Sequence, residues 1–442
     1  MCLTATSARA TNEVHLITLD PGHFHAGLVQ KSMYPQVSPV VHVYAPDGPE
    51  LKEHLQRVQS FNNRSEAPTR WDEKVYTGPD FLERMLKDKA GNVVVMAGNN
   101  ARKTEYIESA VASGFNVLAD KPMAITPANF VVLQKAFVEA AKNKVLLYDI
   151  MTERYEITSI LQRELARMPD VFGTLQNGTA GEPAVALESV HHFFKEVAGV
   201  PLIRPPWFFD VRQQGEAVPD VGTHLVDGVQ WTCFPDQALD WTKDIKVLSA
   251  RRWATVLTAD QFKRATGLGN YPEYFRNDVA ADGRLNVFAN GEVNYTLRGV
   301  HVKVAALWKF QAPPGTGDTL HSVMHGTVAN LLIEQGAAQN FKTSLYVENK
   351  SAVSAAQFEK TLRAAVARLE TKWPGLAVVP SGSRWEVFIP EKYRVTHEQH
   401  FAQVTEKFLG YLVDGGMPSW EVPNMLAKYY TTTEAYRLSR VP

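Results

Sequence analysis

The chain has 442 residues, of which 45% are hydrophobic, and its formal net charge is −1. This length and composition are typical of a globular protein with two or three domains, and a near-zero charge without a basic cluster argues against nucleic acid and anionic membranes as partners. The two cysteines, Cys2 and Cys233, lie far apart, which excludes a disulfide framework and a cysteine metal site.

The first 150 residues alternate short apolar strands with helical patterns. The predicted strands are Val14–Leu19, Val40–Tyr44, Val93–Ala97, Asn116–Ala119 and Lys144–Ile150. The predicted helices include Pro49–Gln59, Glu105–Ser113 and Pro127–Lys142. Such alternation indicates a Rossmann-like, doubly wound parallel sheet whose ligand crevice lies at the carboxyl ends of its strands. We therefore predict a dinucleotide-binding α/β domain over residues 12–150.

The turn after the first predicted strand departs from the glycine-rich pattern GxGxxG. Within residues 20–27, Gly22 keeps the middle glycine position, while Asp20 and His25 replace the other two glycines. A helix N-terminus here can still offer N–H groups to a phosphate. The predicted cofactor-binding residues of this turn are Gly22, His23, Phe24 and His25. Asp47, after the second strand, is a candidate for binding ribose hydroxyls or a residue that only shapes its turn.

Residues 220–227 read Asp-Val-Gly-Thr-His-Leu-Val-Asp and follow a proline, which commonly marks the start of a helix. In a helix, Asp220, His224 and Asp227 share one face, because they are spaced by four and three residues. The opposite, apolar positions are Val221, Leu225 and Val229. This arrangement predicts that Asp220 orients His224 as a general acid or base. The alternative is a helix cap followed by an exposed histidine.

A second signal follows the predicted strand Asn116–Ala119. Asp120-Lys121-Pro122 places a lysine at the carboxyl end of a central strand, where it points into the ligand crevice. An exposed, salt-bridging lysine is the alternative. Taken together with residues 220–227, this triplet resembles the Glu-Lys-Pro and DxGxHxxD motifs of the Gfo/Idh/MocA oxidoreductases, the superfamily of glucose-fructose oxidoreductase and inositol dehydrogenase.

The resemblance to this family extends over most of the chain. Ala97–Asn100 occupies the place of a Thr-Pro-Asn turn, and Thr152-Glu153-Arg154 that of an Asn-x-Arg segment. The segments Leu19–His25 and His191–Lys195 are similar to a sub-branch with a distinctive C-terminal domain. The resemblance implies NAD or NADP as cofactor. It further implies that the cofactor contacts Gly98, Asn99, Asn100, Asp120, Lys121 and Arg154.

Residues 151–442 predict a C-terminal substrate-binding α+β domain. Period-2 alternation over Glu292–Phe310 indicates one or two long strands, preceded by turns at Asp282-Gly283 and Asn290-Gly291, and therefore an open, mainly antiparallel or mixed sheet. Residues 351–371 read as a helix, and the segment 401–438 as two terminal helices. The resembled family often uses such a sheet as its oligomer interface, which implies a homo-oligomer.

A polar and aromatic cluster precedes the predicted catalytic helix. Such a mixture suits sugars, because an aromatic face covers the C–H side of the ring while charged groups and amides bind its hydroxyls. The predicted substrate-binding residues are His192, Lys195, Trp207, Asp210, Arg212 and Asp227. The adjacent histidines His191 and His192 suggest a metal, but no ligand partner stands at a suitable spacing, so no metal is predicted.

These observations and the resemblance lead to one functional hypothesis, an NAD(P)-dependent oxidoreductase that transfers a hydride between nicotinamide and a hydroxyl or keto group of a carbohydrate, cyclitol or glycoside. Lys121 and His224 would share the proton transfer. Two alternatives are an NAD-dependent glycosidase or lyase that oxidises the sugar transiently, and a non-catalytic sugar-binding module. A cytoplasmic location is favoured, although Ala8-Arg9-Ala10 is compatible with the remnant of an export signal.

Overall fold

A computed structural model describes residues 13–197 and 200–441. The segment 8–10, considered above as a signal remnant, lies outside the described residues. The chain folds into two compact units. Within the described residues, the first comprises the chain up to Met123, Val132–Ile150 and Phe401–Pro418, and the second comprises the remainder.

The strands and helices are numbered here in chain order. The strands are β1 Leu16–Leu19, β2 Val40–Ala45, β3 Asp72–Thr77, β4 Val93–Met96, β5 Asn116–Asp120, β6 Leu147–Ile150, β7 Val185–Phe194, β8 Glu196–Val197, β9 Val200–Pro201, β10 Ile245–Leu257, β11 Leu285–Leu297, β12 Val300–Gln311, β13 Thr319–His325, β14 Ala329–Gln335, β15 Ser344–Asn349, β16 Ala377–Ser381 and β17 Arg384–Phe388. The α-helices are α1 His25–Leu28, α2 Pro49–Asn63, α3 Phe81–Asp88, α4 Lys103–Ala112, α5 Pro127–Asn143, α6 Ile157–Ala166, α7 Gly222–Cys233, α8 Ala259–Thr266, α9 Ala355–Glu370, α10 His397–Asp414 and α11 Glu421–Leu438.

The first unit is built on a parallel sheet of six strands in the order β3-β2-β1-β4-β5-β6. The strands β1, β4 and β6 are buried along their whole length, which explains why their sequences are continuous apolar runs. The order reverses between β1 and β4, so the sheet is doubly wound as predicted. This reversal opens a crevice at the carboxyl ends of these two strands.

The second unit contains a sheet of nine strands in the order β10-β11-β12-β7-β13-β14-β15-β17-β16. Only the pairing of β12 with β7 is parallel, and the other pairs within this sheet are antiparallel, which confirms the predicted mixed, mainly antiparallel sheet. One large hydrophobic core joins this sheet to the helices of the unit, among them α6, α7 and α9. Within the described residues, no helix is long and apolar enough to cross a membrane.

One predicted turn is wrong. Asn290 and Gly291 lie inside β11, and the chain reverses instead at Arg298 and Gly299, whose φ angles are 51° and 83°. The side chain of Asn290 donates to the carbonyl oxygen of Trp253 at 3.2 Å and accepts from the amide of Trp308 at 2.8 Å. It therefore bridges β10 and β12 beside an irregularity of β10, which is why a turn-favouring residue is stable within a strand.

Candidate functional site

The carboxyl edge of the first unit's sheet gathers most of the predicted cofactor-binding residues. Gly22 follows β1, Asp47 follows β2, Gly98 follows β4, and Asp120 ends β5. Because the carboxyl ends of parallel strands meet at one edge, these residues lie along the crevice that the strand order creates. Asp47 is exposed there, as a residue that binds ribose hydroxyls must be.

The turn after β1 is held by the backbone of the segment after β4. The amide groups of Gly22 and His23 both donate to the carbonyl oxygen of Ala97, at 3.2 Å each. The two segments approach so closely that a Cβ on Gly98 would lie 2.3 Å from the carbonyl oxygen of Asp20. This packing therefore requires a glycine at position 98. The amides of Gly22 and His23 are already hydrogen-bonded within the protein.

The carboxyl group of Asp20 has a hydrogen-bond partner within the protein. Asp20 has a φ of 47°, and its Oδ2 accepts a hydrogen bond from the hydroxyl of Tyr106 at 3.0 Å. Burial raises the pKa of Asp20, while this hydrogen bond opposes the rise. Burial therefore disfavours the charged form of this carboxyl group, and the hydrogen bond directs it toward Tyr106.

Two histidines of the same turn converge on the end of β5. The Nδ1 atom of His25 lies 2.9 Å from Oδ2 of Asp120, and the Nδ1 atom of His23 lies 4.0 Å from the same oxygen. Lys103 donates its Nζ to the main-chain oxygen of Asp120 at 3.0 Å. The next residue, Lys121, is half-buried and begins the loop after β5.

This first unit fits a dinucleotide, but its phosphate recognition differs from the standard glycine turn. An acid follows β2, Gly98 allows a close backbone approach, and two imidazole groups lie at the turn after β1. Because Gly22 and His23 give their amides to Ala97, side chains such as those of His23 and His25 would hold the phosphates. Asn99 is half-buried and Asn100 is buried in the adjoining loop.

In the second unit, helix α7 carries the predicted general acid/base. The apolar positions Val221, Leu225 and Val229 are buried in the core, which confirms the predicted packing face. His224 is half-buried and lies in the first turn of α7. Asp220 precedes the helix, is buried, and accepts a hydrogen bond from Nε2 of Gln214 at 3.1 Å.

His224 lines a cavity of about 180 Å³ between α7 and the sheet of the second unit. Most of the wall is apolar and comes from α7, β7, β13 and β14. The polar side chains in the wall include Ser189, His191, Ser322 and Gln335. A group with the size of one six-membered ring fits this volume, since cavities of about 150 Å³ bind benzene.

Arg154 and Asp227, which were also predicted as site residues, belong to a buried ion network. The guanidinium of Arg154 donates two hydrogen bonds to Asp227, both of 2.7 Å, and one of 3.0 Å to Glu421. The ammonium of Lys428 lies 2.8 Å from Asp227 and is completely buried. Burial alone would raise the pKa of Asp227, but Arg154 and Lys428 hold it well below its ordinary value.

This network gives Arg154 and Asp227 a structural role beside the cofactor and substrate roles that the sequence predicts for them. It connects the segment after β6 with α7 and α11 through two cations and two anions. Glu421 and Lys428 were missed by the sequence reasoning. The only signal was a lysine between apolar residues of the last helix, Met425 and Ala427 before it and Tyr429 after it.

A larger cavity of about 650 Å³ lies beside the end of β7 and the loop between β12 and β13. His192 and Lys195, both predicted to bind substrate, line it together with Asp318. The Nδ1 of His192 lies 2.9 Å from Asp318, His191 lies 3.4 Å from it, and Lys195 forms an ion pair with it. Burial would raise the pKa of Asp318, but His191 and Lys195 hold it well below its usual range.

Asp318 is a second residue that the sequence reasoning missed. Its signal was an acid at the end of a loop rich in proline and glycine. His191, the first of the two adjacent histidines, packs against Trp308 with ring centroids 5.1 Å apart. The structure therefore brings His192 and Lys195 together through an acid that is distant in sequence.

The other predicted substrate-binding residues lie near the short helix Pro206–Phe209. Trp207 is buried in the hydrophobic core. Asp210 is buried as well and accepts a hydrogen bond of 2.7 Å from Arg212, which also donates to Asp278 at 2.8 Å. Arg204, at the start of this segment, donates to the main-chain oxygen of Phe193 at 2.7 Å, and burial lowers its pKa to about 10.

Comparison with protein families agrees with this architecture in both units. A family model described as "Oxidoreductase family, NAD-binding Rossmann fold" matches residues 30–148. A second model, described as "Putative oxidoreductase C terminal domain", matches residues 161–440. No sequence among the curated proteins matches the chain.

Solved structures resemble the chain over nearly its whole length. A crystal structure described as "a putative oxidoreductase from Parabacteroides merdae" is 52% identical, covers 97% of this chain and 98% of its own, and has a TM-score of 0.95. A 3-ketoreductase from Actinomadura kijaniata, solved with NADP and TDP-benzene, is 12% identical with a TM-score of 0.57, covering 96% and 97%. A biliverdin reductase from Synechocystis, solved with biliverdin and NADP+, is 11% identical with a TM-score of 0.56, covering 96% and 98%. The last two share the fold with this chain.

Proposed function

The chain belongs to the Gfo/Idh/MocA family of NAD(P)-dependent oxidoreductases, and from this premise we propose that its substrate is a carbohydrate, a cyclitol or a glycoside. The reaction interconverts a hydroxyl and a keto group on the sugar ring. When bound, NAD or NADP supplies the acceptor or donor of the hydride at C4 of the nicotinamide.

The cavity of about 650 Å³ in the second unit carries this proposal, and Gln335 lines both this cavity and the cavity of about 180 Å³ that His224 lines. Its volume lies within the range of about 300–1,000 Å³ that is typical of small-molecule sites. His192, Lys195 and Asp318 offer donors and acceptors in one place, as the hydroxyls of a sugar require. Trp207, Asp210, Arg212 and Asp227 remain proposed contributors to substrate binding.

We assign the proton transfer to Lys121 in the first unit and to His224 in the second. In the oxidative direction, these residues remove the hydroxyl proton while the carbon loses its hydride. Asp220 positions His224 from the turn before α7. The cofactor is held by the residues that the sequence identified, which are Gly22, His23, Phe24, His25, Asp47, Gly98, Asn99, Asn100, Asp120, Lys121 and Arg154.

We also propose that the sheet of the second unit joins copies of this chain. On its face away from the helices, Leu307 pairs in register with Val190, and Ala305 pairs with Glu188. A partly apolar strand surface of this kind suits a second copy of the sheet. Light scattering of the wild type and of Leu307→Glu tests this, and a monomeric wild type would contradict it.

Two measurements test the enzymatic proposal. Denaturing the purified protein and identifying any released nucleotide by mass establishes whether NAD or NADP is retained. Incubating the protein with either cofactor and a panel of sugars, cyclitols and glycosides should produce reduced nicotinamide, followed by its absorbance. Cleavage of a glycoside without accumulation of reduced nicotinamide would instead favour transient oxidation, and sugar binding without nucleotide or turnover would favour a binding module.

A further inference from the structure

Three potential metal ligands converge at the carboxyl edge of the first unit's sheet. One imidazole nitrogen of His23, one of His25 and a carboxylate oxygen of Asp120 all lie within 4.8 Å of one another. Two imidazole nitrogens and one carboxylate oxygen form a donor set that binds zinc and iron(II). We propose that His23, His25 and Asp120, which the proposed function also assigns to the cofactor, bind a divalent first-row transition-metal ion.

The distances are close to those that such an ion needs. Ligands at about 2.0–2.1 Å from a tetrahedral ion lie roughly 3.4 Å from one another. The separations of His25 and His23 from Oδ2 of Asp120 are 2.9 Å and 4.0 Å, so they bracket this value.

The hydrogen bonding of His23 indicates that its Nδ1 carries a lone pair. The backbone amide of His25 donates to this atom at 3.4 Å, which assigns the ring proton of a neutral imidazole to Nε2. A metal ion would bind through this lone pair and would replace its long contact with the amide of His25. The Nδ1 atom of His25 shares a hydrogen bond with Asp120, and a metal ion would take the place of this shared proton.

Packing already fixes the ligands. His25 is 8% exposed and Asp120 is 5% exposed. The ring of His25 lies 4.1 Å from that of His23 and 4.5 Å from that of Phe401, measured between centroids. Because folding has already restricted these side chains, a bound ion does not have to order them.

The second unit also contains two histidines beside an aspartate, but there the carboxylate is paired with a lysine. There, His191 and His192 approach Asp318, but the ammonium of Lys195 is paired with the same carboxylate and would repel a cation. In the first unit, Lys103 donates to the main-chain oxygen of Asp120. We therefore assign the ion to the first unit. The group of His191, His192 and Asp318 serves as a control site of similar composition.

Metal titration of the full chain tests the proposal. After treatment with a chelator and dialysis, the wild type is titrated with Co²⁺ and with Zn²⁺. Visible absorption of bound Co²⁺ and elemental analysis measure the number of ions per chain. We expect one ion per chain in the wild type and at least a tenfold loss of affinity in His23→Ala. That variant changes the least buried of the three ligands, and circular dichroism verifies its fold.

Asp120→Asn should also lose the ion, since an amide does not supply the anionic oxygen. His191→Ala and the surface variant His15→Ala are matched controls that should retain one ion per chain. A wild type that binds neither metal ion at micromolar concentration would overturn the proposal. It would also be overturned if folded His23→Ala kept the wild-type affinity, or if His191→Ala lost the ion.

Discussion

The ion network of the second unit should make Asp227→Asn strongly destabilising. Asp227 accepts two hydrogen bonds of 2.7 Å from Arg154 and one of 2.8 Å from Lys428. The wild-type network is neutral, with two cations and two anions including Glu421. Replacing Asp227 by asparagine leaves two buried cations facing a single carboxylate.

The magnitude follows from what the substitution retains. Each charge-assisted hydrogen bond is worth about 1.5–3 kcal/mol. The side-chain oxygen of asparagine can still accept some of the three hydrogen bonds from Arg154 and Lys428, but each is weaker because the negative charge is gone. Removing one member of a buried ion pair costs about 3–5 kcal/mol, and we expect a loss in the free energy of unfolding of this size. Urea unfolding followed by tryptophan fluorescence and by circular dichroism measures it.

A matched control uses the same chemical change at an exposed site. Asp236 also accepts from two arginines, Arg163 at 2.7 Å and Arg167 at 3.3 Å, but its side chain is 49% exposed. Because exposed ion pairs contribute at most about 1 kcal/mol, Asp236→Asn should change stability little. An equal loss in the two variants would refute the reasoning from burial.

A double substitution tests the charge balance directly. Lys428→Met removes one cation and keeps most of the side-chain volume, so Asp227→Asn combined with Lys428→Met leaves one cation and one anion. The double variant should lose clearly less stability than the two single variants added together. Additive losses would show that the network does not act as one charged unit.

The contribution of Asp227 to the free energy of unfolding should also depend on pH. The folded-state pKa of Asp227 lies below its unfolded value, so its contribution is complete above the unfolded pKa of about 3.9 and is lost as pH falls further toward the folded value. The stability difference between wild type and Asp227→Asn should therefore be constant near neutral pH and shrink below about pH 4.

Three further predictions concern activity and ligand binding. Lys121→Ala and His224→Ala should each lower kcat by about 10²-fold or more with little change in cofactor affinity, measured by steady-state kinetics and nucleotide titration, and near-wild-type turnover would remove that residue from the mechanism. Gly22→Val should abolish nucleotide retention, measured by mass after denaturation, in a protein that stays folded, whereas Asp20→Asn should keep or modestly improve it. Asp318→Asn should raise KM for the sugar more than it lowers kcat, and an unchanged KM would contradict the assignment of the larger cavity to substrate.

The doubly wound sheet could be predicted because its central strands are buried on both faces and therefore appear as apolar runs. The strand β3 and the helix α3 were missed. β3 lies at the sheet edge, pairs only with β2 within this sheet, and carries charged, exposed residues, so its sequence has no apolar run. Strand signals weaken where the faces of a strand are exposed, because solvent then accepts polar side chains, whereas the other edge strand, β6, is buried and was predicted.

Site prediction succeeded for local patterns and stopped at contacts between distant residues. Helix α7 was predicted because an apolar stripe and a polar face recur within two turns. The partners of Asp227 are 73 and 201 residues away, and those of Asp318 include His192 at a separation of 126 residues. A spacing rule contains no information about such pairs, since the three-dimensional pairing of strands and helices brings them together.

The turn after β1 shows how a sequence that lacks the glycine pattern still builds the dinucleotide edge. In the usual turn, glycines in the loop itself permit the tight backbone and the close approach of phosphate. Here the close approach is between two protein segments, and the glycine that permits it is Gly98, on the neighbouring strand's loop. The amides of Gly22 and His23 are used to hold this contact. The turn after β1 therefore uses two of its amides for packing against the loop after β4, which explains how it stays tight without the usual glycines.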